Sequence, residues 1–190
     1  MRTQLRLLAI ASVFAVALSV PAQAHSQTRK PADPTGEGLS PAERRMLVTY
    51  RLSMDKLNRV AEATRKFHDL ERRNPGLGKS LEREADDNKS LSSKIAQIEK
   101  VPEVRATLAS SGLTGRDYML TLINAMNAGA AVQIKKMGGD ASSLPVSPQN
   151  IQFYRTNQAA IDKLSKQIND ETKAAESARK DSTPADSESN

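Results

Sequence analysis

Histidine and carboxylate side chains are the groups in this chain with the chemistry to bind a metal ion or to act as acid and base. There are two histidines, His25 and His68, and no cysteine. If an export signal is cleaved after Ala24, His25 presents a free amine and an imidazole together, which is half of a copper-binding histidine brace. His68 is the only candidate for a second imidazole, but it lies late in a predicted helix and would be some 40 Å away. The spacing therefore does not favour a copper site.

The acidic residues and the short sequence motifs do not indicate a metal site or a catalytic site either. Glu82, Glu84, Asp86 and Asp87 could attract a divalent cation, but they lack the glycine and alternating oxygen ligands of a calcium loop. Acids in the first turns of a helix are favoured by the helix dipole alone. No His-Glu-x-x-His, Gly-x-Ser-x-Gly or Gly-x-x-x-x-Gly-Lys motif is present. We therefore predict no catalytic residue, no metal site and no cofactor, and expect that the protein is not an enzyme.

Basic side chains recur on one side of the first predicted helix, within a sector of about 80°. They are Arg44, Arg51, Arg59, Lys66 and Arg73. Such a stripe could bind an anionic envelope polymer or a lipid headgroup. The alternative is a solvated helix face, partly neutralised by neighbouring acids. Those acids are Glu43, Asp55, Glu62, Asp69 and Glu71.

The N-terminal segment has the three parts of an export signal. Arg2 and Arg6 precede an apolar run from Leu7 to Val20, and Ala22-Gln23-Ala24 is a small-x-small cleavage site. The run is shorter than the about 20 residues that span a bilayer. We predict that residues 1–24 are a cleaved signal peptide, so that the product is periplasmic or secreted and has no transmembrane span. An exported chain without a recognisable binding module is not expected to bind nucleic acid.

Composition divides the remaining chain into three parts. Residues 25–39 are rich in proline and glycine and are predicted to form a flexible leader. Residues 40–169 form the predicted helical domain. Residues 170–190 are predicted to be a fraying helix end followed by a disordered tail. Because the chain has no cysteine, packing alone must stabilise the exported domain.

Apolar residues recur at helical spacing throughout 40–169, and no alternating strand pattern occurs there. The sequence predicts an all-α fold, a bundle of four main helices plus one short helix. The first helix runs from the capping box at Ser40 to about Arg73, and the second from about Ser80 to Lys100. The short helix begins at Pro102, and the last helix at Pro148. A heptad-like, coiled-coil seam follows the first helix: Leu47, Tyr50, Met54, Leu57, Ala61 and Thr64.

The fourth helix, from Thr114 to about Met137, is apolar nearly all round and is predicted to be central. Met126 is expected to be buried. Gly129 costs about 1 kcal/mol relative to alanine inside a helix, so we expect a neighbouring element to approach it closely. Asn124 is a polar group near the core and should find a hydrogen-bond partner.

The segment from Val101 to Tyr118 resembles one in a family of uncharacterised exported helical proteins of bacteria, and the segment from Leu144 to Phe153 is similar too. The resemblance implies export and a helical fold, and no activity. We therefore interpret the chain as a non-enzymatic protein that binds an unknown envelope protein or anionic envelope component through a helix surface or groove. The alternatives are a small-ligand or metal carrier, and a structural protein that forms a homo-oligomer through its first helix.

Overall fold

The computed structural model describes residues 39–74 and 90–181, with side chains up to residue 174. The described residues form seven α-helices and no strand, which confirms the all-α prediction. The helices are α1 (Pro41–Thr49), α2 (Met54–Arg73), α3 (Leu91–Lys100), α4 (Pro102–Ser110), α5 (Gly115–Lys136), α6 (Pro148–Thr156) and α7 (Gln158–Asp181). The predictions for the signal peptide, for the leader up to residue 38, for the acids at 82–87 and for residues 182–190 lie outside the described residues.

Local capping signals begin and end several helices, and the capping box predicted at Ser40 is present. The Ser40 hydroxyl accepts from the Glu43 amide, and the Glu43 carboxylate accepts from the Ser40 amide at 2.9 Å. Gly112 and Gly138 have positive φ angles of 68° and 77°, and they end α4 and α5. A side chain is strained in that backbone conformation, so glycine is the residue that stops each helix.

Two helices that the sequence predicts as continuous are each divided, and the helix predicted from about Ser80 to Lys100 has its N-cap at Ser90 and its first residue at Leu91. The count of four main helices plus one short helix is therefore not confirmed. The prediction of one helix from Ser40 to Arg73 is wrong, because residues 50–53 are extended or non-helical between α1 and α2. Ser53 is the N-cap of α2, and its hydroxyl accepts from the Lys56 amide at 3.3 Å. The last predicted helix is interrupted at Asn157, whose side-chain amide donates to the Phe153 carbonyl at 2.8 Å.

Helix α5 is the centre of the fold, as predicted, and it packs against α2, α3 and α6. The larger hydrophobic cluster joins α2, α4, α5, α6 and α7, and the smaller one joins Leu47 of α1 and Leu91 and Ile95 of α3 to Leu120 of α5. The predicted seam residues Leu57, Ala61 and Thr64 are buried in the larger cluster or beside it. The seam therefore belongs to the protein's own interior.

A close approach between α5 and α6 explains the glycine inside α5. A Cβ atom on Gly129 would lie 3.0 to 3.2 Å from the ring atoms and hydroxyl of Tyr154, which is tighter than an ordinary contact. Tyr154 is buried. The missing side chain therefore leaves room for the tyrosine ring, and the prediction of close packing at Gly129 is confirmed.

Helix α7 runs along α2 and continues to Asp181, beyond the predicted domain end at residue 169. Arg65 Nε donates to Glu171 Oε2 at 2.6 Å across the two helices. Both side chains are close to half exposed, so this ion pair adds at most about 1 kcal/mol to stability.

Candidate functional site

The five predicted basic residues do not lie on one helix. Arg44 lies on α1, Arg51 lies in the break between α1 and α2, and Arg59, Lys66 and Arg73 lie on α2. Arg44 Nη1 donates to the Ser143 carbonyl at 3.3 Å, and Arg51 Nη1 donates to the Val48 carbonyl, in the last turn of α1, at 3.2 Å. The division of the helix therefore interrupts the predicted stripe.

Arg59 and Lys66 bind the end of helix α4. Arg59 Nη1 donates to the Gly112 carbonyl at 3.2 Å, and Lys66 Nζ donates to the Ser110 carbonyl at 3.0 Å. The last carbonyls of a helix carry partial negative charge, so cations are stabilising there. Arg59 and Lys66 also pair with Asp55 at 2.9 Å and with Glu62 at 2.6 Å, respectively. Both bases thus already have a structural role, and binding of an anionic surface by the five residues stays a prediction.

His68 faces helix α7. Its Nδ1 atom lies 3.4 Å from Thr172 Oγ1. The part of the chain that the structure describes contains no group of three or more histidine and acidic side chains arranged to hold a metal ion. His25, the other half of the copper hypothesis, lies outside the described residues.

Glu43, which the sequence places among the surface acids, is buried with 3% of its surface exposed. One carboxylate oxygen accepts from the Ser40 hydroxyl at 2.7 Å, and the other accepts from the Ser92 amide at 3.1 Å. Ser92 lies in the first turn of α3, so one carboxylate satisfies amides at the start of two helices. The hydroxyl and amide of Ser40 lower the pKa of Glu43 below its usual 4.5, and the amides of Ser92 and Leu91 add to this against the effect of burial.

Replacing Glu43 with glutamine should weaken the acid dependence of folding. The lowered pKa means that the ionised carboxylate stabilises the fold above about pH 4.5, and that this contribution is lost as the pH falls through the lower folded-state pKa. At neutral pH we expect E43Q to cost about 1 to 2 kcal/mol. Thermal melts between pH 3 and about pH 7 should therefore shift less in E43Q than in wild type.

Glu62→Gln is the matched control for this experiment, since Glu62 is exposed and pairs with Lys66 in the next turn. Its melts should follow the wild-type pH profile. A residual acid dependence in E43Q is expected from Asp140, because the Ser142 hydroxyl lowers the pKa of that carboxyl as well. Equal pH profiles for wild type and E43Q would contradict the proposed role of Glu43.

A buried amide network holds the break between α1 and α2 against α5. Asn150, at the start of α6, is 1% exposed. Its Nδ2 donates to the Tyr50 carbonyl at 2.9 Å and to Asn124 Oδ1 at 2.8 Å, and its Oδ1 accepts from the Leu52 amide at 3.0 Å. The predicted partner for Asn124 is thereby confirmed. Asn150 itself was not predicted, because nothing in its local sequence indicates contact with residues a hundred positions earlier.

One face of α5 is apolar and partly exposed to solvent. Its residues fall within a sector of about 80° at 100° per residue. They are Met119, Ile123, Met126, Ala130, Ile134 and Met137, and we call them the α5 stripe. Met126 is 36% exposed and Met137 is 79% exposed, and the other four are partly buried. The expectation that Met126 is buried is therefore wrong.

The small residues of α5 determine which of its faces points towards the core. Ala128, on the opposite side from the stripe, and Ala131 are fully buried, and Gly129 is covered by Tyr154. Neighbouring helices approach α5 where its side chains are smallest, so the long methionine side chains are left on the open side. The small residues Ala125, Ala128 and Ala131, spaced three apart, are the signal in the sequence that identifies the inward face.

Within residues 39–74 and 90–181, no helix combines the length and the apolar character needed to cross a bilayer. No known protein family, curated protein or solved structure matches this chain.

Proposed function

We propose that this chain is an exported, non-enzymatic helical protein that binds a partner in the bacterial envelope through the α5 stripe. The observation that carries the proposal is the exposure of Met126 and Met137 on a helix whose other side is the most buried part of the fold. Isolated exposed apolar residues are common on protein surfaces, but a contiguous apolar stripe is typical of an interaction site. The proposed export rests on the signal pattern of residues 1–24.

The stripe has the form of a surface that accepts a helix. Its six residues cover about 27 Å along α5 at 1.5 Å per residue. Methionine side chains are flexible and polarisable, so they adapt to the side chains of a partner. No charged residue occurs from Tyr118 to Ile134, and polar residues such as Asn127 and Gln133 flank the stripe. An apolar centre with a polar rim is the usual composition of a protein–protein interface.

Photocrosslinking from the stripe in intact cells tests this proposal. A photoreactive phenylalanine at Met126 should form a crosslinked product of defined mass, because a bound partner covers that side chain. The same residue at Lys163, which is exposed on α7, should not give that product. Adding Met137→Asp should reduce the yield from position 126. If positions 126 and 163 give the same pattern, the stripe is not the binding surface.

A further inference from the structure

We propose that the α5 stripe contains an oxidation site, at which hydrogen peroxide converts Met137, and after it Met126, to methionine sulfoxide while the protein stays folded. The site itself follows from side-chain exposure and from the chemistry of the thioether. Its consequence for binding rests on the proposed function, because the same two residues carry that proposal.

Methionine is the only sulfur-containing residue type in this chain, which has six methionines and no cysteine. Five of the six lie within the described residues. Met137 is 79% exposed and Met126 is 36% exposed. The other three are partly buried: Met54 packs against the larger hydrophobic cluster, Met46 against the smaller one, and Met119 against both. Dissolved peroxide therefore reaches the side chain of Met137 most easily.

The end of α5 keeps Met137 accessible. Met137 is the C-cap residue of the helix, and the chain turns directly after it at Gly138, whose φ angle is 77°. A Cβ atom on Gly138 would have no neighbouring atom within 4 Å. In the part of the chain that the structure describes, this corner of the molecule is therefore open to solvent and to small solutes.

The oxidation needs no catalytic group from the protein. The thioether sulfur donates a lone pair to one oxygen of hydrogen peroxide, so that an S–O bond forms as the O–O bond breaks. The leaving hydroxide takes up the proton from the transferred oxygen and becomes water. Sulfur loses two electrons and the peroxide gains them, so methionine sulfoxide and one water are the balanced products.

Oxidation at these positions changes the surface and leaves the core intact. A sulfoxide is polar, whereas the thioether is apolar. On the exposed side chain of Met137 the new oxygen remains hydrated, so the helix has no reason to rearrange. A partner that covers the stripe would remove that water, and burying a polar group without a hydrogen bond is unfavourable. We therefore expect oxidation to weaken binding to the stripe at least about fivefold.

Timed oxidation of the purified full chain tests the site. After treatment with hydrogen peroxide at neutral pH, tandem mass spectrometry of peptides should show sulfoxide at Met137 first and at Met126 second. The three partly buried methionines should react at least about tenfold more slowly than Met137, because local opening must precede their reaction. Circular dichroism should stay unchanged while the two exposed residues react.

The same reaction in concentrated urea is the control, since all five methionines should then react at similar rates. If Met137 in the folded protein reacted no faster than Met54, the oxidation site would be wrong. Loss of helix as Met137 reacts would equally overturn the proposal.

Photocrosslinking in intact cells tests the consequence for binding. With the photoreactive phenylalanine at position 126, peroxide that oxidises Met137 before illumination should lower the yield of the crosslinked product at least about fivefold. Met137→Leu removes the oxidisable sulfur, so its yield, whatever the starting value, should be equal with and without peroxide. Met54→Leu, which lies outside the stripe, should respond to peroxide as the photoreactive variant alone does.

An equal loss of yield in Met137→Leu would overturn the regulation of binding by Met137. Absence of any crosslinked product before peroxide is added would overturn the proposed function and this regulation together. The order of oxidation in the purified chain would still identify Met137 as the oxidation site in that case, so the two failures are distinguishable.

Discussion

Replacing Ala128 with aspartate should unfold the domain. Ala128 is fully buried on the inward side of α5, within the larger hydrophobic cluster. A carboxylate there has no basic partner among the hydrophobic side chains of that cluster, and burying an unpaired charge is one of the few single changes that costs more than about 4 kcal/mol. This is a large part of the about 5 to 15 kcal/mol that stabilises a domain. Circular dichroism should show loss of helix, or a strongly lowered melting temperature.

Met126→Asp is the matched control, since it introduces the same side chain two residues earlier in the same helix. Met126 is 36% exposed, so the new carboxylate can remain hydrated. We expect a change in unfolding free energy of less than about 1 kcal/mol. If the two variants melted alike, the assignment of an inward and an outward face to α5 would be wrong.

Replacing Asn150 with leucine should have the second-largest effect. The substitution keeps a similar size but removes three hydrogen bonds, so the Tyr50 carbonyl, the Leu52 amide and the Asn124 side-chain oxygen each lose a partner. A buried polar group left unsatisfied costs about 1 to 3 kcal/mol. Since neighbouring losses are not additive, we expect a total of about 3 to 5 kcal/mol. Urea denaturation followed by circular dichroism measures it.

Gln149→Leu provides the comparison for Asn150, because Gln149 is exposed on the same turn of α6. It should change the unfolding free energy by less than about 0.5 kcal/mol. A loss below about 1 kcal/mol in N150L would mean that water or a shifted side chain satisfies the three groups.

Helix ends that are fixed by neighbouring residues can be identified from the sequence. The capping box at Ser40 and the glycines at 112 and 138 act within one turn of the residues that they cap. Such contacts are present in any chain that contains the pattern, so a local analysis identifies them. The all-α class followed from the same kind of local evidence.

The break between α1 and α2 depends on distant residues, and the sequence pattern did not reveal it. Apolar residues continue at helical spacing through Tyr50, and a single helix satisfies that spacing equally well. What selects the extended conformation at residues 50–52 is Asn150, which binds both the Tyr50 carbonyl and the Leu52 amide. Ser53, the N-cap of α2, is the only local signal for the division.

Neither the arrangement of the five predicted bases nor the exposed face of α5 could be predicted from the sequence. The five bases of the predicted stripe are real surface cations, but the partners of Arg59 and Lys66 are carbonyls at the end of α4, more than forty residues later. The α5 stripe was missed because the helix is apolar nearly all round. In such a helix the hydrophobic periodicity does not distinguish the buried face from the exposed face. Only the packing of neighbouring helices against the small residues decides which side is open.

The contact between the α1–α2 break and Asn150 also determines when that break becomes ordered. Its hydrogen bonds join residues 98 and 100 positions apart, so the chain must close a loop of almost the whole domain before any of them forms. Loop closure of this length is entropically costly, and contacts of high sequence separation slow folding. We expect the helical hairpin of α5 and α6 to form first through short-range contacts, and the α1–α2 break to dock onto it after the folding transition state. Losing the Asn150 amide would therefore chiefly accelerate unfolding, with little change in the rate of folding.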